Sequence, residues 1–226
     1  LLAAVSDTDK SELISMGISA NRILLLPNGI EPFSCSAESV PGLKDSEDET
    51  ILLFLGKLDY PPNRQGVEWI FHELFPHLGK QGLKYRMIIA GKPRPESPPA
   101  IPSNIQLHMP GYVDQVEPWI AASEICLAPI FSGSGTRIKV LEYLSAGKAL
   151  IATSKAVEGI GLQPGEHFLL AERPEDFSVS IRLLAQDRAL RARLGENGKA
   201  FVEKHYLWSS IVPRFLEELK SVLGFR

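Results

Sequence analysis

FSGSGTRIKVLEYLSAGKALIAT, residues 131–153, sets the architecture of this chain. The run before it, ICLAPI at 125–130, is short and continuously apolar, the pattern of a buried strand. Gly133, Ser134, Gly135 and Thr136 then form a glycine-rich turn. Ile138, Leu141, Tyr143 and Leu144 follow with helical spacing, mostly on one face. Gly147 predicts the helix end, and residues 149–153 predict the next buried strand. Strand, glycine-rich turn, helix, glycine stop and strand together aim helix N-terminal N–H groups at whatever lies above the strand ends. That is an anion site. Arg137 and Lys139 occupy its first turn, and Glu142 comes one turn later.

The same alternation recurs on both sides. ILLFLG at 51–56 is an apolar run ending in glycine, expected of a parallel strand covered on both faces. The loop KLDYPPNRQG follows, then Val67, Ile70, Phe71, Leu74 and Phe75 at helical spacing. YRMIIAG at 85–91 predicts a second strand, 92–104 a proline-rich surface loop, 105–108 a short strand, and about 114–123 a helix. After Thr153, SKAVEGIGLQPGE reads as a long loop before a short strand at 168–171. Pro174 suits a first helical position, with Phe177, Ile181, Leu183 and Leu184 apolar behind it. Residues 188–205 predict a helix pair broken near Gly195 or Gly198, and 208–223 a last helix. The fold class expected is α/β: a Rossmann-like, doubly wound parallel sheet with helices on both faces. Ligands of such sheets bind beyond the carboxyl ends of the strands. The loops after Leu55, Ala90, His108, Ile130 and Thr153 should therefore gather on one edge.

Toward the N-terminus, residues 1–5 read as a strand end and Asp7 or Thr8 as the cap of a short helix through Met16, stopped by Gly17. Residues 22–27 read as a buried strand and Asn28-Gly29 as a turn. Residues 31–50, rich in Ser, Pro, Glu and Asp, read as a solvated linker. The expected division is 1–30, the linker 31–50, a main domain over 51–205, and a terminal helix in 206–226. The chain starts on LLAAVS without a methionine. It is expected to be a segment of something larger, with 1–30 the remnant of a preceding domain.

Composition removes several classes of function. The net charge is −3, so no bulk basic field favours nucleic acid. Cys35 and Cys126 are the only cysteines, which excludes a disulfide framework and predicts a reducing, cytoplasmic setting. No apolar run approaches the roughly 20 residues of a membrane span. A dinucleotide fingerprint would need a third glycine where Ile138 stands, and no Gly-Lys pair is followed by Ser or Thr as a P-loop requires. No spacing suggests a metal site. The five histidines and three tryptophans read as structural or exposed.

What remains fits a nucleoside diphosphate. The glycine turn lets a pyrophosphate approach the backbone, and the N–H groups of Thr136, Arg137 and Ile138 can donate to it. Arg137 or Lys139, with Lys57, can supply positive charge. Glu142 lies roughly 7 Å beyond Arg137 along a helix axis, about the span from a pyrophosphate to its ribose. An ionised carboxylate only accepts, so it suits two vicinal hydroxyls.

The run G-T-R-x-K-x-x-E-x-x-x-x-G-K, beginning at Gly135, resembles the C-terminal, donor-binding domain of retaining GT-B glycosyltransferases of group 1, the family 4 type. SDTDKSEL with ILLLPNGIE, LLFLGKLDYPPNRQGVEWI, YRMIIAGK, IQLHMPGYVDQVEPWIAASEICLAPI and AVEGIG match that family in order, so the resemblance covers essentially the whole chain. It implies two Rossmann-like domains across a cleft, this one holding a UDP- or GDP-sugar and the other most of the acceptor site. Carried over, Glu142 holds the ribose as the second acid of the family's E-x7-E motif. The first acid, which meets the donor sugar, falls on Ser134; a subgroup with G-T-R-x-K also lacks it. Lys57, after Gly56, matches the first of the family's basic pair, and Arg64 is the candidate for the second. The backbone at Tyr112 and Val113 would meet the base, Gly135, Thr136 and Ile138 the phosphates, and Gly159 would lie against them. The implied activity is metal-independent hexosyl transfer with retention, Arg137, Lys139 and Lys57 stabilising the leaving diphosphate. The implied acceptor is a sugar or lipid-linked sugar reached through the missing domain, with peripheral contact at the inner membrane face; the isolated chain is expected to be inactive. The rival expectation, motivated by Ser134, is a non-catalytic nucleotide-binding or scaffold domain. An epimerase would need a G-x-x-G-x-x-G loop and a Tyr-x-x-x-Lys pair, and neither is present.

Overall fold

The apolar runs become the middle of one parallel sheet. In the computed structural model, which describes every residue except 36–39, 41–48, 81, 97, 99, 134 and 224–226, six strands lie in the order β5-β4-β3-β6-β7-β8. They are β3 (Glu49–Leu55), β4 (Lys84–Ala90), β5 (Ile105–Gly111), β6 (Ile125–Ala128), β7 (Ala149–Ala152) and β8 (Leu169–Leu170). All neighbours are parallel. Every residue of β6 and β7 is buried, as helices on both faces require. The order is that of a Rossmann sheet. The chain steps outward from β3 to β4 and β5, then returns to β6 on the other side of β3. The loops leaving β3 and β6 therefore diverge at the topological switch point, where such sheets bind ligands.

The helices follow their prolines and glycines. Pro61 and Pro62 open α2 (Pro61–Trp69), where a missing N–H costs nothing. The helix continues through a wide π turn at Ile70–Leu74 into α3 (Phe75–Leu78), and the Phe75 N–H reaches back to the Ile70 carbonyl. Pro76 explains that turn: it cannot bond the His72 carbonyl, and its ring needs the extra room. Pro118 likewise sits in the first turn of α4 (Glu117–Ala122), which is shorter than the expected 114–123. The stretch 131–153 supplies α5 (Ile138–Ser145).

Past Thr153 two further expectations are corrected. Part of the predicted loop after Thr153 is a short helix, α6 (Ser154–Val157), because the Thr153 hydroxyl accepts the Ala156 N–H at 3.2 Å. After α7 (Pro174–Gln186), residues 188–205 form one unbroken helix of 18 residues, α8 (Arg188–His205), not a pair. Gly195 and Gly198 do not break it; they let it touch its neighbours. A Cβ on Gly195 would lie 2.0 Å from the Gly147 carbonyl oxygen, and one on Gly198 2.6 Å from Leu144. Close helix packing outweighs the roughly 1 kcal/mol that each glycine costs.

At the N-terminus β1 (Leu2–Ala4) pairs with β2 (Ile23–Leu25) in a small parallel sheet. Ser6 caps α1 (Asp7–Ser15), accepting the Asp9 N–H at 3.1 Å, in place of the expected Asp7 or Thr8. The Ile30 N–H donates to the Tyr206 carbonyl at 2.8 Å and the Trp208 N–H to the Ile30 carbonyl at 3.2 Å. This anchors the last helix, α9 (Trp208–Leu223), which packs against β2. Of the expected solvated linker 31–50, residues 36–39 and 41–48 lie outside the described residues, and the rest is not uniformly solvated. Phe33 and Val40 pack on the core, and Glu49 and Thr50 begin β3.

Candidate functional site

Tyr143 ties the glycine-rich stretch to the switch point. Its ring is fully buried, and its hydroxyl accepts the N–H of Leu55, the last residue of β3, at 2.7 Å. Burial holds this phenol far above its ordinary pKa, so it stays neutral. Beyond Leu55, the Gly56 N–H donates to the Ala90 carbonyl at 3.0 Å and the Gly91 N–H to the Gly111 carbonyl at 2.8 Å. The ends of β3, β4 and β5 are thereby locked side by side.

Above them lies a cavity of about 340 Å³ lined by Gly56, Lys57, Tyr112, Val113, Lys139 and Glu142, among others. Lys139 and Glu142 are three residues apart on α5 and share a face. The Lys139 ammonium lies 4.1 Å from the centre of the Phe54 ring and donates to Asn63 Oδ1 at 2.7 Å. Burial pushes its pKa down to about 7; Glu142 resists that shift and Arg137 adds to it. Burial raises the Glu142 carboxyl, Glu117 pushes the same way, and Lys139 opposes them. Lys57 is exposed and 3.4 Å from Asp59, a surface pair of little energetic worth. Lys92 sits 4.4 Å over the Tyr112 ring at the mouth. Shifted groups facing a cleft beside a helix N-terminus are the features expected of an anion-binding site.

The structure brings Gly56, Lys57, Tyr112, Val113, Lys139 and Glu142 together. Ile138 opens α5 beside them, so the first free helix N–H groups belong to Ile138 and Lys139, with Thr136 in the loop. Gly133 and Gly135 have φ of +92° and +81°, which shape the turn. Ser134 lies outside the described residues. Arg137 is the helix N-cap, and its guanidinium folds back on the carbonyl oxygens of Gly135 and Ser132, bracing the loop. Arg64 and Gly159 lie elsewhere. Arg64 lines a separate cavity of about 450 Å³ with Leu58, Phe71 and Pro95. Gly159 lines a third, of about 290 Å³, with Ser6 and Tyr206. The sequence reading does not single out Asn63, which the structure bonds to Lys139. It resembles an ordinary helix-start residue after Pro61-Pro62, and only the phase of α2 turns it inward. Among the described residues no group of three or more His, Cys, Asp or Glu could hold a metal ion, and no helix is long and apolar enough to cross a membrane.

A Rossmann-type sheet with a cationic, carboxylate-bearing cavity at its switch point defines a class of α/β proteins that hold ligands on strand ends. Within that class the chain belongs to the glycosyl transferases group 1, whose family pattern matches residues 49–187, more than half of its length. Its sheet and helices match the C-terminal half of the GT-B fold. An uncharacterized glycosyltransferase of Methanocaldococcus jannaschii is 26% identical over 98 residues, 42% of this chain and 25% of that protein. An uncharacterized 44.6 kDa protein from the cps region of Klebsiella pneumoniae is 21% identical over 163 residues, 69% of this chain and 42% of that protein. The Anabaena protein HepE, solved in complex with UDP and glucose, superposes with a TM-score of 0.76 at 15% identity, over 98% of this chain and 63% of its own. The chain thus spans less than two thirds of each of these proteins.

Proposed function

We propose that this chain forms the donor half of a retaining glycosyltransferase that takes a hexose from a nucleoside diphosphate sugar. One observation carries the reading: Lys139 and Glu142, on one face of α5, line the switch-point cavity together with Tyr112 and Val113. A diphosphate then meets Lys139, Lys57 and the N–H groups of Ile138 and Lys139, the ribose hydroxyls meet Glu142, and the base lies at Tyr112–Val113. HepE, of the same fold, was solved with UDP and glucose, which supports a uridine or related nucleotide here. In the reaction the bond from the anomeric carbon to the diphosphate oxygen breaks, the electron pair leaves with the diphosphate, and an acceptor hydroxyl bonds to that carbon as its proton passes to the departing diphosphate. Fixed cations and helix N–H groups favour the charge that develops on the leaving oxygen. The acceptor, a sugar or lipid-linked sugar, would be held by residues beyond these 226, so the isolated chain should transfer negligibly. No metal ion is required in this scheme.

UDP or GDP should raise the melting temperature of the chain. At about a hundredfold excess over Kd the gain is about 2.7 kcal/mol, or roughly 5–10 °C for a chain of this size. Glu142→Ala should remove most of that gain. Differential scanning fluorimetry measures both, and no shift of the wild type with either nucleotide at millimolar concentration sinks the donor-site reading.

A further inference from the structure

Asn63 is a buried polar residue, 8% exposed, to which the scheme above gives no part. It stands in the first turn of α2, and its amide joins two segments of the cavity wall. The side-chain N–H donates to the Lys57 carbonyl oxygen at 2.9 Å, and Oδ1 accepts from the Lys139 ammonium at 2.7 Å. The partners fix the orientation of the amide. A carbonyl oxygen can meet only a donor and an ammonium only an acceptor, so a flipped side chain would lose both bonds.

Gly56 marks the same contact independently. A Cβ there would lie 2.8 Å from Asn63 Cγ and Nδ2 and 2.9 Å from Lys139 Nζ. The backbone of the loop passes directly over the Asn63–Lys139 bond, and any side chain at position 56 would displace it. A neutral acceptor also suits the task. A carboxylate in its place would cancel the positive charge that a diphosphate needs, and a hydrocarbon would leave the ammonium without that acceptor.

We propose that Asn63 is a positioning residue of the diphosphate site, holding the Lys139 ammonium and the Lys57 loop in register so that both cations meet the same ligand. The inference rests on the donor-site reading. The groups facing Lys139 are Glu142 from its own helix and Arg137 at that helix's N-cap, the uncharged Asn63 from α2 and the Phe54 ring from β3, with Lys57 and Lys92 lining the same cavity. A bound diphosphate favours the protonated lysine. The contribution of Lys139 to affinity is therefore complete below the pKa of the empty site and declines as pH rises through and above it.

The test uses the whole chain as wild type, Asn63→Ala and Asn63→Asp, titrated with UDP and with GDP by calorimetry between about pH 6 and about pH 9. The wild type should bind more weakly as pH rises. Asn63→Ala should weaken binding about 10-fold, the loss of one hydrogen bond to a charged group, and move the decline to lower pH. Asn63→Asp, nearly the same shape, should move the decline to higher pH because its carboxylate favours the ammonium. Binding of Asn63→Ala within about twofold of the wild type, or one pH profile shared by all three proteins, overturns the proposal and leaves Asn63 a structural residue of α2. If Asn63→Ala does not fold, the profile of Asn63→Asp decides alone. Failure of the wild type to bind either nucleotide removes the donor site and this role with it, whereas wild-type binding that Asn63 does not influence removes this role only.

Discussion

Gly91→Ala is expected to destabilise the chain by about 3–5 kcal/mol and to lower its melting temperature by on the order of 10 °C. Gly91 has φ of +151°, a conformation other residues rarely adopt. An added Cβ would stand 1.8 Å from the Gly56 carbonyl oxygen and 3.1 Å from Leu58 Cγ. That carbonyl cannot swing aside freely, because the Gly56 N–H is bonded to Ala90 and the Gly91 N–H to Gly111. Relief requires β3 and β4 to part at their carboxyl ends, so nucleotide binding should fall together with stability. Gly17→Ala is the control. Its φ is +92° but nothing lies within 4 Å of the new Cβ, so only backbone strain of about 1–2 kcal/mol is expected. Urea denaturation of the three proteins measures the difference; equal losses at the two positions would contradict the crossing described at Gly56.

Lys139→Met is expected to separate stability from binding. The lysine pKa falls from 10.5 to about 7 on folding because the ammonium is buried. Between those values the unfolded chain holds a proton that the folded chain does not, so this lysine makes stability rise with pH, by at most about 1.4 kcal/mol per pH unit. Below about pH 7 it is charged in both states and its full penalty is present. Methionine carries no such penalty. The variant should therefore be more stable than the wild type at about pH 6, with an advantage that shrinks as pH rises toward about 9. Its affinity for UDP or GDP should drop about 10- to 100-fold, the worth of a hydrogen bond to a charged group. Urea denaturation at several pH values and calorimetry read the two effects. A stability difference that does not change with pH would mean that Lys139 does not titrate in the folded protein.

The sheet was readable because its strands are continuous apolar runs ended by glycine, as at 51–56 and 85–91. That Lys139 and Glu142 share one cavity wall was readable because three residues along a helix return to the same face. Asn63 and Arg64 show where such reading stops. They are adjacent, and adjacent helical residues point about 100° apart, so only one can face the cavity. Charge alone favours Arg64; the phase of α2, fixed by its start at Pro61, turns Asn63 inward. Gly195 and Gly198 fail for a different reason. A local signal reads glycine as a helix stop, but the contacts that make glycine necessary come from Gly147 and Leu144, about fifty residues away. Tyr143 was legible as a core residue, whereas its bond to Leu55 exists only once α5 packs on β3.

A crystal structure of this chain grown with UDP or GDP decides the location of the donor site. Density is expected for a diphosphate within hydrogen-bonding distance of Lys139 Nζ and the Ile138 and Lys139 N–H groups, with the ribose hydroxyls on Glu142 and the base against Tyr112–Val113. A nucleotide bound instead in the cavity beside Arg64, or beside Gly159, with the cavity at Lys139 empty, would contradict the assignment.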